Sequence, residues 1–440
     1  MDPWIPHVPS AGAADAAPAT ARRFRSPASL AWVEEELERL DRADLRRRLP
    51  PPLLRQAARW ETADGWLVNL ASNDYLGLAG DPRLAEAAAD AARREGVGRG
   101  ASPLICGRSA SGALLEQRLA EFEQTEAALL FPSGFAANAG VVPALAEEGD
   151  AIYADAKNHA SLIDGCRLSR ARKFVYPHRD MGALEHLLAE GGEWRRRLIV
   201  TDTVFSMDGD VAPIPELAAL AARYEAMLLV DEAHATGVLG PGGRGAVEQF
   251  ASEAPPGTPP LGDQIAVRIG TLSKALGTSG GFVCGSQALI EWLANRARTC
   301  LFSTAPSAVV AAAGLAALEI AAGEPHRRRR LAELSRRVHA AAVATGWTLP
   351  DSATHIVPLR VGGPADALRL ASRLRERGFW APPIRPPSVP AGESLVRLSL
   401  RADLEEGDVD RLREALAEHG PSCGSPASRG SAWRDWGELA

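Results

Sequence analysis

Beyond Arg25 the chain alternates between short apolar runs and longer stretches whose apolar positions recur at helical spacing. The first such stretch, Leu30 to Arg48, carries Glu34, Glu35 and Glu36 early and Arg46, Arg47 and Arg48 late, as a helix dipole favours, and Pro50, Pro51 and Pro52 end it. Short apolar runs predict strands at Ala127–Phe131, Asp150–Tyr153, Arg197–Thr201, Met227–Val230, Val267–Ile269 and Gly281–Cys284. Helical spacing predicts helices at Leu114–Gln124, Ala136–Ala146, Ser161–Leu168, Met181–Leu188 and Glu216–Ala226. Strands and helices interleaved in this way predict an α/β core, a mainly parallel sheet covered on both faces.

Further along, the Arg-rich stretch Glu324–His339 reads as a solvated helix face at a domain boundary. Thr354–Val361, Ala365–Arg377, Glu393–Leu400 and Val409–His419 then predict a strand, helix, strand, helix unit. The expected organisation is a disordered leader (1–28), an N-terminal helix and arm (29–70), a large domain (71–323), a small C-terminal α+β domain (324–420) and a disordered tail (421–440). The leader is rich in Ala and Pro and has no charged start followed by an apolar core, so no export signal is expected in it.

Composition narrows the function classes. The 440 residues carry 49 Lys and Arg against 55 Asp and Glu, a formal charge of −6, with no clustering of Lys and Arg beside exposed aromatics, which argues against nucleic-acid binding. No run reaches 18 apolar residues, since even Ala305–Ala322 contains Ser307 and Glu319, so no membrane span is expected. The five cysteines are scattered and lack metal-ligand spacing, which fits a reducing cytoplasm and no metal centre. Only Lys157, Lys173 and Lys274 are lysines, so chemistry that needs a primary amine has three candidates.

Four segments carry candidate chemistry. The strand ending at Asp231 has His234 three positions later, at the sheet edge where α/β folds bind ligands, although an acid there also serves as a helix cap. Lys274 lies among Thr271, Ser273 and Gly277 just after another strand. An arginine cannot supply the nucleophilic amine that a desolvated lysine there can. Ser133 and Gly134, followed by Phe135, form a strand-to-helix turn whose free N–H groups can hold a phosphate. His159, after Asn158, stands at a further strand end, placed either to stack on a planar ring or to cap the following helix. Together, an amine, an acid for a ring nitrogen, a phosphate cup and a ring-stacking imidazole describe a pyridoxal 5'-phosphate site.

The motifs Ser72-Asn73-Asp74-Tyr75-Leu76-Gly77-Leu78, Asn158-His159-Ala160-Ser161-Leu162, Val204 to Asp210, Val230 to Gly240, Gly270 to Gly277 and Ile384 to Pro390 resemble those of the α-oxoamine synthase family of fold-type I pyridoxal-phosphate enzymes. By that resemblance Lys274 carries the cofactor as a Schiff base, Asp231 holds its ring nitrogen protonated, and His234 and Ser206 contact the ring hydroxyl side. His159 stacks on the ring, and Ser133, Gly134, Phe135 and Thr271 bind the phosphate. The family's site lies at a homodimer interface, to which Ser303 or Thr304 of the second chain is implied to contribute. Arg397 resembles the arginine that holds the amino-acid carboxylate, with Asn73 beside the substrate, while Arg46, Ser388 and Arg385 resemble acyl-substrate contacts.

The reaction implied is a decarboxylative Claisen condensation in which the freed Lys274 amine removes the Cα proton of L-alanine and the carbanion attacks a pimeloyl thioester on coenzyme A or acyl carrier protein. The Ile384–Pro390 stretch resembles the biotin-pathway branch, and relatives that condense glycine or serine with other acyl thioesters are the alternative. Four positions depart from the family's pattern: Arg108, Gly112, Glu232 and Ala235. The change at Arg108 implies an altered thioester preference.

Overall fold

The computed structural model describes residues 27–49, 57–62, 65–190 and 192–418. The chain divides into two compact units, Met1–Pro50 and Pro51–Ala440. In the first, the helix is Ala31–Arg42, shorter than the Leu30–Arg48 stretch predicts. Asp44 takes a left-handed φ of 57°, which Asp tolerates better than most residues, and the helix stops before the arginine run. The Arg46 guanidinium pairs with Asp41. Pro50 to Pro52, all but the last two residues of the expected leader, and the expected tail with Trp433 and Trp436 lie outside the described residues.

The second unit is organised by seven strands: β1 Ala127–Phe131, β2 Ala151–Asp155, β3 Arg172–Tyr176, β4 Arg197–Asp202, β5 Met227–Asp231, β6 Val267–Thr271 and β7 Gly281–Gly285. Their order in the sheet is β1-β7-β6-β5-β4-β2-β3. Strands β3, β2, β4, β5 and β6 pair in parallel, and β7 runs antiparallel to both its neighbours. Both faces are buried, as the side-chain alternation of β4 shows. Leu198 and Val200 join Val141 and Leu162 in one apolar layer, while Ile199 joins Leu184 and Leu217 in the other.

Most strands run one or two residues past their apolar run, so their carboxyl ends carry Asp155, Asp202, Asp231 and Thr271. Register sets Asp202 opposite Asp231. This edge of the sheet is therefore polar by construction.

Strand β3 escapes the periodicity because Arg172, Lys173 and Val175 are exposed on an edge that pairs only with β2. Helix Pro82–Glu95 also lacks a predicted counterpart, although its start is marked by Asp81 accepting the Arg83 N–H and by Pro82 in the first turn. The helix Ala308–Gly323 packs on it and on Ala110–Glu123, with Ala311, Gly314 and Ala317 among its buried residues. Among the described residues no single helix is long and apolar enough to cross a membrane.

Two smaller sheets complete the unit. In one, Ser394–Ser399 lies between Ile356–Gly362 and Pro383–Ile384, antiparallel to both. In the other, a hairpin of Arg59–Thr62 and Gly65–Asn69 adds Phe379–Trp380 in parallel. The first carries Arg397 toward the polar edge of the large sheet, and the chain leaving the hairpin carries Asn73 and Tyr75 there.

Candidate active site

Lys274 sits in the turn after β6, with Nζ 2.9 Å from His234 Nε2. His234 Nδ1 is 2.6 Å from the Tyr75 hydroxyl, which donates to Asn73 Oδ1 at 3.1 Å. With the tyrosyl proton on Asn73, His234 Nδ1–H donates to the tyrosyl oxygen and Nε2 is left to accept from the Lys274 amine. Arg397 closes the chain by donating from Nη2 to Asn73 Oδ1 and from Nη1 to the Ser206 carbonyl, each at 2.9 Å.

Burial dominates the titration of this group. It pushes the Lys274 amine down to about 8, with Asp231 and Asp202 opposing and Arg397 adding to the shift. Burial, then Lys274 and Arg397, holds His234 far below the ordinary imidazole value, and burial raises the Tyr75 phenol. A neutral imidazole beside an amine that sheds its proton readily is the result.

A second network holds Asp231. The Asn138 amide donates to Asp231 Oδ2 at 2.6 Å and to the Ser161 hydroxyl at 2.9 Å, while Asp231 Oδ1 accepts the Ala233 N–H at 2.8 Å. Ser161 Oγ lies 2.7 Å from His159 Nδ1, and the His159 N–H donates to Asp202 Oδ2 at 2.7 Å. Burial lowers the His159 imidazole, with Asp231 opposing and Lys274 adding. Burial and then the neighbouring Asp231 raise the Asp202 carboxyl well above its ordinary range.

The strand-to-helix turn after β1 lies alongside. Ser133 caps the helix Gly134–Leu145 by accepting the Ala136 N–H at 3.0 Å, and a Cβ on Gly134 would stand 3.4 Å from Thr271 Cβ. The Thr271 hydroxyl donates to the Gly280 carbonyl at 2.8 Å. Gly281 is packed so tightly here that a Cβ would lie 2.5 Å from Gly134 N and from the Ser133 carbonyl group. We expect Gly281→Ala to displace this turn and weaken cofactor binding at least about tenfold while the chain stays folded, measured by cofactor titration beside a thermal scan.

The structure thus brings Lys274, His234, Asn73, Arg397 and Ser206 into one hydrogen-bonded chain and Asp231 and His159 into a second, with Thr271 at the end of β6 packed against the turn of Ser133 and Gly134. Phe135 is exposed at the helix start, Ser303 is half-buried and Thr304 exposed. Arg385 is buried and its carbonyl accepts the N–H of the exposed Ser388 at 3.1 Å. Arg46 belongs to the first unit.

Tyr75, Asn138, Ser161 and Asp202 have no role assigned by sequence, yet they hold His234, Asp231 and His159. His355 joins them, buried edge-on to Tyr75 with ring centroids 4.0 Å apart and pushed down to about 3 by burial, Arg397 and Lys274. Two of the departing residues have structural explanations. Glu232 accepts the Ala246 and Val247 N–H groups at 2.9 and 3.0 Å, at the start of helix Ala246–Glu253. Arg108 pairs at 2.6 Å with Glu116, whose other oxygen accepts the Leu130 N–H.

The fold and this site define a class. The chain belongs to the aminotransferase class I and II family, whose model matches residues 66–416, and it has the architecture of the fold-type I pyridoxal-phosphate transferases. It is 48% identical over 389 residues to the 8-amino-7-oxononanoate synthase of Anaeromyxobacter dehalogenans (strain 2CP-1), covering 88% of this chain and 95% of that protein. It is 46% identical over 394 residues to the 8-amino-7-oxononanoate synthase of Geobacter sulfurreducens, covering 89% and 98%. Among solved structures, the serine palmitoyltransferase of S. paucimobilis with a bound PLP–myriocin aldimine has a TM-score of 0.82 at 27% identity over 90% of this chain and 98% of that one. The 8-amino-7-oxononanoate synthase of Francisella tularensis has a TM-score of 0.68 at 26% identity over 80% and 97%.

Pyridoxal phosphate is the cofactor of this class, and the donor set fits it. A buried amine suited to an aldehyde, a carboxylate beside the orphaned carbonyl oxygen of Asn138, and a glycine-opened helix start converge here. Because only the neutral amine reacts, we expect cofactor capture by the apoprotein to quicken as pH rises toward about 8 and to level off above it, followed by visible absorbance. A rate still climbing through the ordinary lysine range would contradict the buried setting of Lys274.

Proposed function

We propose that the chain condenses L-alanine with a pimeloyl thioester to give 8-amino-7-oxononanoate, carbon dioxide and the free thiol, a step of biotin biosynthesis. The observation that carries this reading is 46–48% identity over 95–98% of the length of relatives bearing that name, joined to a half-buried lysine of lowered pKa among Asp231, His159 and His234. Serine palmitoyltransferase is nearer in backbone shape, with a TM-score of 0.82 against 0.68, but at 27% identity that likeness concerns the scaffold. Condensation of glycine or serine with another acyl thioester is the second reading.

When bound, pyridoxal phosphate supplies an aldehyde for the amine and a protonated ring that draws electrons from the amino acid's Cα. The residues do the rest. Lys274 takes and returns the Cα proton, and His234, fixed by Tyr75, keeps the lysine's lone pair oriented. Asp231, held by Asn138 and the Ala233 N–H, would keep a proton on the ring nitrogen, with His159 and Ser206 as further residues that would hold the ring. The N–H groups of Gly134 and Phe135, with the Ser133 hydroxyl and the adjacent Thr271 side chain, would cup the phosphate. Arg397 offers its fork to the substrate carboxylate beside Asn73, and Arg385 and Ser388 receive the acyl chain.

The protein acts as a homodimer, with Ser303 and Thr304 of a second copy completing the phosphate site. Support comes from apolar side chains left exposed near the helix start: Leu104, Phe135, Ile105 at 78% and Phe302 at 73%. The Ala305 N–H bonds to the Ala101 carbonyl at 2.9 Å and ties their two loops together. The reading places the enzyme in the cytoplasm, makes coenzyme A or acyl carrier protein the thiol carrier, and keeps a large domain at 71–323 and a small one at 324–420.

Visible absorbance of the holoprotein, titrated with alanine, glycine and serine before pimeloyl-CoA is added, tests the substrate. A band perturbed by alanine and changed again by the thioester supports the reading. A band that answers only to glycine or serine replaces it with the second.

A further inference from the structure

The turn that carries Ser206 is held from behind by a histidine that the reaction does not touch. His178 follows β3, and its Nδ1 lies 2.9 Å from Asp155 Oδ1, at the end of β2, while its Nε2 lies 2.8 Å from Asp210 Oδ2. Each ring nitrogen therefore faces a carboxylate oxygen, and only the imidazolium can donate to both. The ring also meets Phe205 edge-on, with centroids 4.4 Å apart at 90°.

Phe205 and Asp210 are the two ends of one tight turn. The Phe205 N–H bonds to the Asp210 carbonyl at 3.0 Å, the Gly209 N–H to the Phe205 carbonyl at 2.8 Å, and Val204 bridges Val211. Gly209, at φ 70°, touches the small sheet so closely that a Cβ would stand 2.2 Å from the Ile356 carbonyl oxygen. At the head of this turn the Ser206 carbonyl receives Arg397 Nη1 at 2.9 Å. The path from His178 to the guanidinium is thus one turn long.

We propose that His178 is a positioning residue: its imidazolium clamps the Phe205–Asp210 turn to the end of β2 and so sets Ser206 and the Arg397 fork at the amino-acid subsite. The inference rests on the reading of Arg397 as the carboxylate holder. The charged and titratable groups around the ring are Asp155 and Asp210, Arg179 on Asp210 at 3.3 Å, Lys157, whose charge acts on Asp210, and Tyr176, which interacts with Asp155. Burial lowers the His178 imidazole, but its bonds to Asp155 and Asp210 outweigh burial and leave it at about 9. Since this value is raised, the clamp is fully present below the ordinary imidazole value and is lost as pH rises through about 9, when one bare ring nitrogen faces a carboxylate.

Three holoenzymes test this: wild type, His178→Gln and Arg397→Lys, with amino-acid KM and kcat measured across pH and the imidazole titration of the apoprotein followed by NMR. The clamp predicts that wild-type amino-acid KM rises above pH about 9 as the His178 resonance titrates. It predicts that His178→Gln carries an amino-acid KM raised about tenfold at all pH, with kcat within about twofold. Should His178→Gln fail to fold, Asp210→Asn, which removes one carboxylate, moves both the resonance and the KM rise toward neutral pH. Amino-acid KM unchanged in His178→Gln or Asp210→Asn, beside a raised KM in Arg397→Lys, overturns the clamp. An unchanged KM in Arg397→Lys removes the carboxylate reading instead, and the clamp's link to substrate falls with it.

Discussion

Lys274→Ala is expected to lower turnover by at least about ten-thousandfold while the protein still folds and takes up the cofactor's phosphate. The replacement deletes both the nucleophilic amine and the group that moves the Cα proton, and general-base loss alone is worth about 100- to 10,000-fold. The other two lysines offer no substitute. Lys157 is engaged with Asp208 at 3.1 Å, and Lys173 lies exposed on the edge strand β3. Removing a buried amine leaves His234 Nε2 without its donor, but that imidazole is already neutral, so the stability cost is small beside the loss of rate. Single-turnover and steady-state rates with alanine, beside a thermal scan, check this. Turnover within tenfold of wild type would remove Lys274 from the chemistry.

The second large effect is expected from Asp231→Asn. The amide preserves shape and still meets Asn138, but it cannot stabilise a proton on a ring nitrogen. The α-carbanion therefore loses its electron sink, and kcat falls about 100- to 1,000-fold with amino-acid KM little changed. A second readout separates electrostatics from misfolding. The Asp231 charge raises the Lys274 amine, so its removal moves that amine further below about 8 and lets the variant capture cofactor aldehyde at lower pH than wild type. A variant with normal kcat and an unmoved capture profile would mean that Asp231 faces neither group.

Both residues were legible because Asp231 terminates a strand and Lys274 lies in the turn just after another, and strand ends are marked by a switch from apolar to polar residues. The same switch located the strands β5 and β6 and the turn at Ser133 and Gly134. What escaped was whatever depends on partners distant in sequence. Asn138 reaches Asp231 across 93 residues and Arg397 reaches Asn73 across 324, and neither spacing leaves a periodic trace. Asp202 escaped for a related reason: it matters through register with Asp231, which only the sheet reveals. Strand β3 was hidden by Arg172 and Lys173, residues suited to an edge where one side of the ladder meets water. Tyr75 stood within a quoted motif, but its contact with His234 Nδ1 needs the fold to bring together residues 159 apart.

The central claim is the reaction itself, and its stoichiometry is the most direct measurement. Holoprotein incubated with L-alanine and pimeloyl-CoA should yield a product with the mass of 8-amino-7-oxononanoate, with carbon dioxide and free thiol each released in equal amount, and none of the three should form with Lys274→Ala. Thiol released without carbon dioxide, or a faster condensation of glycine or serine under the same conditions, would contradict the account.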